Sequence, residues 1–162
     1  MKEKGLIQNV HNIIIAEEFS EVNIITGCTV ASHSFGKHIG ISEFYLKRGA
    51  KVNFTMIHAW NENTEVRPRT GAILEENSKF VSNYVLLKPT KLIQTSPTTI
   101  NKKNSKAVLT SLILGLKNSF IDVGGQSILN GENFTSLIES RIVAKDYSKI
   151  FSRGRIVSEN KN

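Results

Sequence analysis

A strand–turn–strand pattern recurs at nearly constant spacing along this chain, and a repeat of this kind limits the possible folds more than any other feature. Similar patterns occupy residues 45–54, 73–82, 100–109 and 127–136. The Gly or Asn that closes each polar turn falls at positions 49, 77, 104 and 131, giving spacings of 28, 27 and 27 residues. A weaker copy at residues 19–25 lies about one period earlier. Units this short bury their apolar faces only by stacking on their neighbours.

Each unit reads as two β-strands joined by a tight turn. Gly and Asn tolerate the positive φ that such turns require. Apolar and polar residues alternate over 52–56 and 80–84, as expected for sheets with one buried face. The apolar run at 105–116 is rich in β-prone residues, so we predict a strand there and no long helix anywhere. The repeat therefore predicts an all-β chain of stacked two-sheet coils with a period of about 27–28 residues, with an irregular β-sandwich as the alternative.

The chain has the length of one domain, with 162 residues of which 40% are hydrophobic. We expect a single β-helix domain over residues 1–162 with an ordered core at about 10–157. The tails at 1–9 and 158–162 are predicted to be mobile. Residues 61–69 and 88–90 read as loops or strand edges, because proline and charged residues concentrate there.

Composition argues against several classes of partner. No segment approaches the roughly 20 apolar residues of a membrane span, and the N-terminus lacks the apolar region of a signal peptide, so we expect a cytoplasmic protein without membrane contact. The net charge is +7, but the 21 Lys and Arg residues are dispersed and aromatic residues make up only 7%. We therefore expect no nucleic-acid binding, which normally uses a basic cluster or stripe.

The residues best suited to chemistry cluster early in the chain. Cys28 is the only cysteine, and three of the four histidines follow it, namely His33, His38 and His58. Thiolate and imidazole are ligands that iron and zinc prefer, and a thiolate also accepts sulfur. The alternative is a buried, inert cysteine with surface histidines. Trp60 either lines a site or anchors the core.

Hydrolytic chemistry has weaker support. Polysaccharide-active β-helices use carboxylates from neighbouring coils, yet the chain has only two aspartates, Asp122 and Asp146, and its glutamates lie mostly in turns. No carboxylate pair suggests itself for glycoside cleavage. A carbohydrate-processing β-helix enzyme and a purely structural interaction module stay open as alternatives.

Several short segments, in order and spacing, resemble the SufB/SufD family of iron–sulfur cluster assembly proteins. Residues 27–29 (Gly-Cys-Thr) resemble the family's Gly-Cys-Thr/Ser, and His38 resembles the histidine that follows it. Residues 58–60 (His-Ala-Trp) resemble the family's Gln-Asn-Trp. Residues 140–142 and 153–154 resemble signatures of its late coils. Together the resemblance covers roughly residues 19–157.

The resemblance implies a right-handed parallel β-helix that acts as a scaffold or accessory component of the SUF system and not as a self-contained enzyme. In that family SufB and SufD pair and work with the ATPase SufC. The position of Cys28 matches a SufB cysteine associated with receiving or channelling sulfur. His38 and His58 would be its neighbours, as candidate contacts of sulfur or of a transient iron–sulfur cluster.

The sequence also departs from the family pattern. Val30 and Ala31 stand where a proline is common, and the residues given end after the coil of Arg153 and Gly154. The family's last coils and the C-terminal helical domain that docks SufC lie beyond that point. Because uncovered strand edges favour association, we expect residues 133–157 to join a partner's coils, most simply in a homodimer.

Overall fold

The computed structural model describes residues 5–30 and 35–158. Within these residues the chain is 70% strand without helix, wound into a parallel β-solenoid of about five turns. The prediction of stacked β-coils is therefore confirmed. The described residues also contain no helix that is long and apolar enough to cross a bilayer.

Thirteen strands make up the described part of the chain. They are β1 (Leu6–Ala16), β2 (Glu21–Thr29), β3 (Gly36–Leu46), β4 (Lys51–Ala59), β5 (Thr64–Val66), β6 (Arg69–Leu74), β7 (Lys79–Leu86), β8 (Leu92–Thr95), β9 (Thr98–Asn101), β10 (Lys106–Gly115), β11 (Phe120–Leu129), β12 (Thr135–Ala144) and β13 (Lys149–Ser158).

The strands form two parallel sheets, and the chain alternates between them as it winds. One sheet has eight strands and contains β1, β3, β5, β6, β8, β9, β11 and β13. The other has five strands in the order β12, β10, β7, β4 and β2. Every strand pairing is parallel, because each strand lies beside the strand one full turn earlier or later in sequence. Residues one repeat apart are therefore direct neighbours.

Strand register gives the true length of each repeat. In the five-stranded sheet, Glu21 pairs with Lys51, Lys51 with Lys79, Lys79 with Lys106 and Lys106 with Thr135. The offsets are 30, 28, 27 and 29 residues. The predicted period of 27–28 residues thus holds in the middle of the solenoid, and the outer coils are longer by one or two residues.

The turns between the sheets stack on one another through backbone hydrogen bonds. The N–H groups of Phe19, Gly49, Asn77 and Asn104 donate to the carbonyls of Arg48, Glu76, Lys103 and Glu132. All four donors have positive φ, and the next residue with positive φ in the series is Asn133. The prediction of Gly131 as the fourth turn residue was therefore wrong. Glu132 is equivalent to Arg48, Glu76 and Lys103, so the left-handed position that follows is 133.

The core is the space between the two sheets, filled by every second residue of each strand. On β4 the buried residues are Val52, Phe54, Met56 and His58, and on β3 they run from His38 to Leu46. The Phe44 ring packs against Phe54 and Phe80 at centroid distances of 4.9 and 5.0 Å. These aromatic residues fill the middle of the solenoid.

Three predicted boundaries can be compared with the structure. β1 begins at Leu6 because residues 6–9 pair with residues 36–39 of β3, so the predicted N-terminal tail ending at residue 9 was too long. β13 likewise extends to Ser158. The strand predicted at 105–116 is confirmed as β10, and residues 88–90 lie outside the strands. The predicted loop at 61–69 contains the short strand β5.

Candidate functional site

A cavity of about 270 Å³ lies between the sheets in the first two coils. It is formed by inward-facing residues of β1 to β4 together with Trp60, which directly follows β4. The lining residues are Gln8, Val10, Asn12, Thr26, Gly27, Cys28, Thr29, His38, Gly40, Ser42, Met56, His58 and Trp60. Polar groups thus concentrate at one end of the solenoid core.

The fold brings together three residues that the sequence singled out. Cys28 on β2 and His58 on β4 are register partners in the five-stranded sheet. His38 on β3 belongs to the opposite sheet. The ligand atoms of the three side chains all lie within 4.8 Å of one another. His33, the fourth residue of the predicted cluster, lies outside the described residues.

The position of each residue in the strand register explains this convergence. The core row that starts with Cys28 and His58 continues as Leu86, Ile113 and Ile142. Along this row the side chains face the core from successive coils. Thiol and imidazole therefore stand where the later coils place aliphatic side chains.

The opposite sheet shows the same change. The row that starts with Gln8 and His38 continues as Val66, Ile93 and Ile121. Aliphatic packing is sufficient to hold a coil together, as Val66, Ile93 and Ile121 demonstrate by being fully buried. The polar residues in the first two coils consequently need an explanation other than folding.

Each imidazole has one nitrogen held by a neighbour. His38 Nδ1 lies 3.0 Å from Gln8 Oε1, and because that oxygen only accepts, His38 donates from Nδ1. His58 Nδ1 lies 2.9 Å from the Tyr84 hydroxyl. His58 Nε2 has no hydrogen-bond partner among the described residues, although the side chain is 0% exposed. A buried polar atom without a partner costs about 1–3 kcal/mol.

Burial determines the charge state of the site. Desolvation, reinforced by the nearby His38, lowers the pKa of His58 from 6.5 to about 3. Desolvation also lowers the pKa of His38. It raises the pKa of the Cys28 thiol and of the Tyr84 hydroxyl. At neutral pH both imidazoles are therefore uncharged with a free lone pair, and Cys28 is a thiol in the absence of a cation.

Trp60 combines the two roles between which the sequence could not decide. It is buried, with 3% of its surface exposed. Its ring lies 4.9 Å from the His38 ring and 5.4 Å from the His58 ring, measured between centroids. Its Nε1 has no hydrogen-bond partner among the described residues. Trp60 is thus a core residue that also walls the site and excludes water from the imidazoles.

Sequence reasoning missed Gln8, Gly40 and Tyr84. Gln8 fell in the predicted tail, but it stands one 30-residue repeat before His38, and that offset would have found it. Gly40 leaves room for His38, since a Cβ added there would lie 3.0 Å from His38 Nε2. Tyr84 lies next to the row of His58, facing the core from the following coil. No sequence motif marks it.

The carboxylates that an alternative hydrolytic role would need have other partners. Asp122 forms an ion pair with Arg153 at the edge of a groove of about 570 Å³. Asp146 accepts a hydrogen bond from the backbone N–H of Lys117 in a turn. The two aspartates therefore serve different parts of the surface.

Comparison with known proteins places these features in a family context. The model of the SUF system FeS cluster assembly SufBD core domain matches residues 1–161. An iron–sulfur cluster assembly SufBD family protein of Archaeoglobus fulgidus is 50% identical over 94% of this chain and 41% of its own length. One from Methanothermobacter thermautotrophicus is 47% identical over 95% of this chain and 38% of its own length. The chain thus spans about two fifths of these relatives.

Proposed function

The chain belongs to the SufBD family of iron–sulfur cluster assembly proteins, and on that premise we propose that it is a scaffold component that holds sulfur on Cys28. The observation that carries the proposal is the lone thiol in a walled cavity beside two uncharged imidazoles. A thiol in this position is shielded on several sides, yet Cys28 itself is only partly buried and is accessible to a donor.

The proposed chemistry is the transfer of one sulfane sulfur. The Cys28 sulfur attacks the terminal sulfur of a donor persulfide, R–S–SH, and the S–S bond of the donor breaks. The Cys28 proton passes to the departing thiolate, so the products are R–SH and a persulfide on Cys28. No oxidant is consumed, because the sulfane sulfur keeps its oxidation state.

The cavity would protect the persulfide after it forms. Trp60 and the two imidazoles surround the sulfur and limit access of a competing thiol from the core side. Because reduction of a persulfide requires attack by a second thiolate, restricted access lengthens its lifetime. Sulfur is then retained for the assembly step and is not lost to small thiols.

The test compares Cys28 with a thiol at the surface of the same strand. Metal-free protein is treated with cysteine persulfide, and mass spectrometry measures the added sulfur atom. The control is Cys28→Ser/Ile25→Cys, which moves the single thiol to a side chain with 75% exposure. Both proteins should accept sulfur, and on dilution into glutathione the wild-type persulfide should outlast the control severalfold. Equal lifetimes, or no sulfur on Cys28, would contradict the proposal.

Partner association is a second part of the proposal. Strands β12 and β13 each pair with one neighbour, and their outer edges are open within the described residues. Ile138, Ile142 and Ile150 are only partly buried there. We expect residues 133–157 to join the coils of a second copy or of another SufB/SufD-like subunit, and the assembly to work with a SufC-type ATPase. Light scattering should give twice the 18.0 kDa chain mass for a homodimer.

A clean monomer in light scattering would exclude the homodimer under those conditions. Co-purification with a SufC-type ATPase then tests the heteromeric form. Failure of both would leave the scaffold role without its partners, even if Cys28 accepts sulfur.

A further inference from the structure

We infer that Cys28, His38 and His58 form a binding site for one divalent cation of the iron and zinc class. The three donors come from three strands of two facing sheets, and their ligand atoms lie within 4.8 Å of one another. One thiolate and two imidazoles form a donor set suited to Fe²⁺, Co²⁺ or Zn²⁺ and poorly suited to Mg²⁺ or Ca²⁺. The inference rests on the proposed function for its biological meaning, since it adds a metal to the same site.

The first supporting observation is the buried nitrogen of His58. His58 is 0% exposed and its Nε2 has no partner among the described residues. In the same core row, later coils place Leu86 and Ile113, which bring no such cost. A cation bound at Nε2 would use the lone pair of this nitrogen and offset the energy lost by its burial.

The second observation is the way both imidazoles are oriented. Gln8 Oε1 occupies Nδ1 of His38 at 3.0 Å, and the Tyr84 hydroxyl occupies Nδ1 of His58 at 2.9 Å. The Nε2 atoms are thereby left for a ligand. Metal-binding histidines are commonly fixed in this way, with the other ring nitrogen hydrogen-bonded to an outer partner. Gly40 keeps the space beside His38 Nε2 free of a Cβ.

The dimensions of the site fit a single ion after a small closure. A cation centred between three donors that are 4.8 Å apart would lie about 2.8 Å from each, against bond lengths of about 2.0–2.3 Å. Inward movement of each donor by about half an ångström or slightly more would complete the bonds. Side-chain rotation of Cys28, which lies at the partly exposed side of the cavity, supplies part of this movement.

The donor count favours one ion over a cluster. Iron–sulfur clusters generally take four protein ligands, most of them cysteines, and this chain provides one thiol. Three protein donors leave one position of a tetrahedral ion open. Inorganic sulfide or a thiolate of small size would fit that position, beside the unpartnered N–H of Trp60 that lines the same cavity.

Anaerobic titration of the metal-free protein with Co²⁺ tests the inference. We expect one equivalent to bind, with a thiolate-to-cobalt charge-transfer band in the near ultraviolet and the intense visible bands of a tetrahedral ion. Zn²⁺ and Fe²⁺ should displace it. Cys28→Ser should abolish the charge-transfer band, and His38→Asn or His58→Leu should raise Kd by at least about 100-fold, because a direct ligand matters more than an outer partner.

Two further variants separate ligation from general damage. Gln8→Leu should raise Kd about 10–100-fold while keeping the charge-transfer band, since only the orientation of His38 is lost. His11→Asn is the matched control, because His11 is an exposed histidine on β1 that faces away from the cavity. It should bind Co²⁺ as the wild type does. Far-ultraviolet circular dichroism verifies that each variant is folded.

The inference is overturned if the wild type binds no Co²⁺, or if its binding survives in both His38→Asn and His58→Leu. Equal weakening in His11→Asn would also overturn it, since the site would then be elsewhere. The sulfur-transfer assay, run with a chelator, reports separately on the proposed function. Persulfide on Cys28 without Co²⁺ binding refutes only the metal site, and Co²⁺ binding without persulfide refutes only the sulfur role.

Discussion

Acid should destabilise the metal-free protein through His58. Burial lowers the pKa of this residue from 6.5 to about 3, so the folded state takes up its proton only at much lower pH than the unfolded chain. The stability associated with neutral His58 is fully present above pH 6.5 and is lost as the pH falls towards 3. Each pKa unit corresponds to about 1.36 kcal/mol, so moving from pH 7 to pH 4.5 should cost about 2.5 kcal/mol through this residue.

The measurement is urea denaturation at pH 7 and pH 4.5 in the presence of a chelator, on the wild type and on His58→Leu. Any constant effect of the substitution, such as loss of the hydrogen bond to Tyr84, cancels when each variant is compared with itself at two pH values. The wild type should lose about 2.5 kcal/mol more than His58→Leu over this interval. His11→Asn, which removes an exposed histidine, should behave as the wild type.

The carboxylates whose pKa is lowered, Glu43 and Glu65, also lose stability in acid, but they are the same in all three proteins. They therefore do not affect the comparison. If the wild type and His58→Leu show the same pH dependence, His58 is hydrated in the folded protein, and the account of the buried, unpartnered nitrogen is refuted.

Three substitutions test the fold itself, each by the free energy of unfolding in denaturant. Phe80→Ala should cost about 3–5 kcal/mol, because this fully buried ring packs on Phe44 and would leave a cavity; a loss below about 1 kcal/mol would contradict the packing. Asn77→Val should cost about 1–2 kcal/mol and Asn77→Gly almost nothing, since φ is +61° there. Gly124→Ala should cost about 1–3 kcal/mol, because its Cβ would overlap the backbone of Arg153; a neutral result would mean that β13 pairs differently.

The repeat is the part of the structure that could be predicted from sequence. Alternating apolar residues and turns with Gly or Asn specify strand and turn locally, and equal spacing specifies stacking. The limits of this reasoning appear where the period varies. Asn133 and not Gly131 takes the left-handed position, because the hydrogen bond from Asn104 to Glu132 fixes the register of that coil. A glycine is permissive, and permissiveness alone does not decide which turn residue uses it.

For the site, the sequence by itself determined which groups are available: one thiol, a few nearby histidines and one tryptophan. Only the tertiary structure decided that Cys28 and His58 are neighbours on adjacent coils and that His38 faces them from the other sheet. The physical reason is that a solenoid converts a separation of one repeat into direct contact, with an offset set by each coil. Orientation by Gln8 and burial of His58 likewise arise from stacking, so residues 30 positions apart create the chemistry that neither has alone.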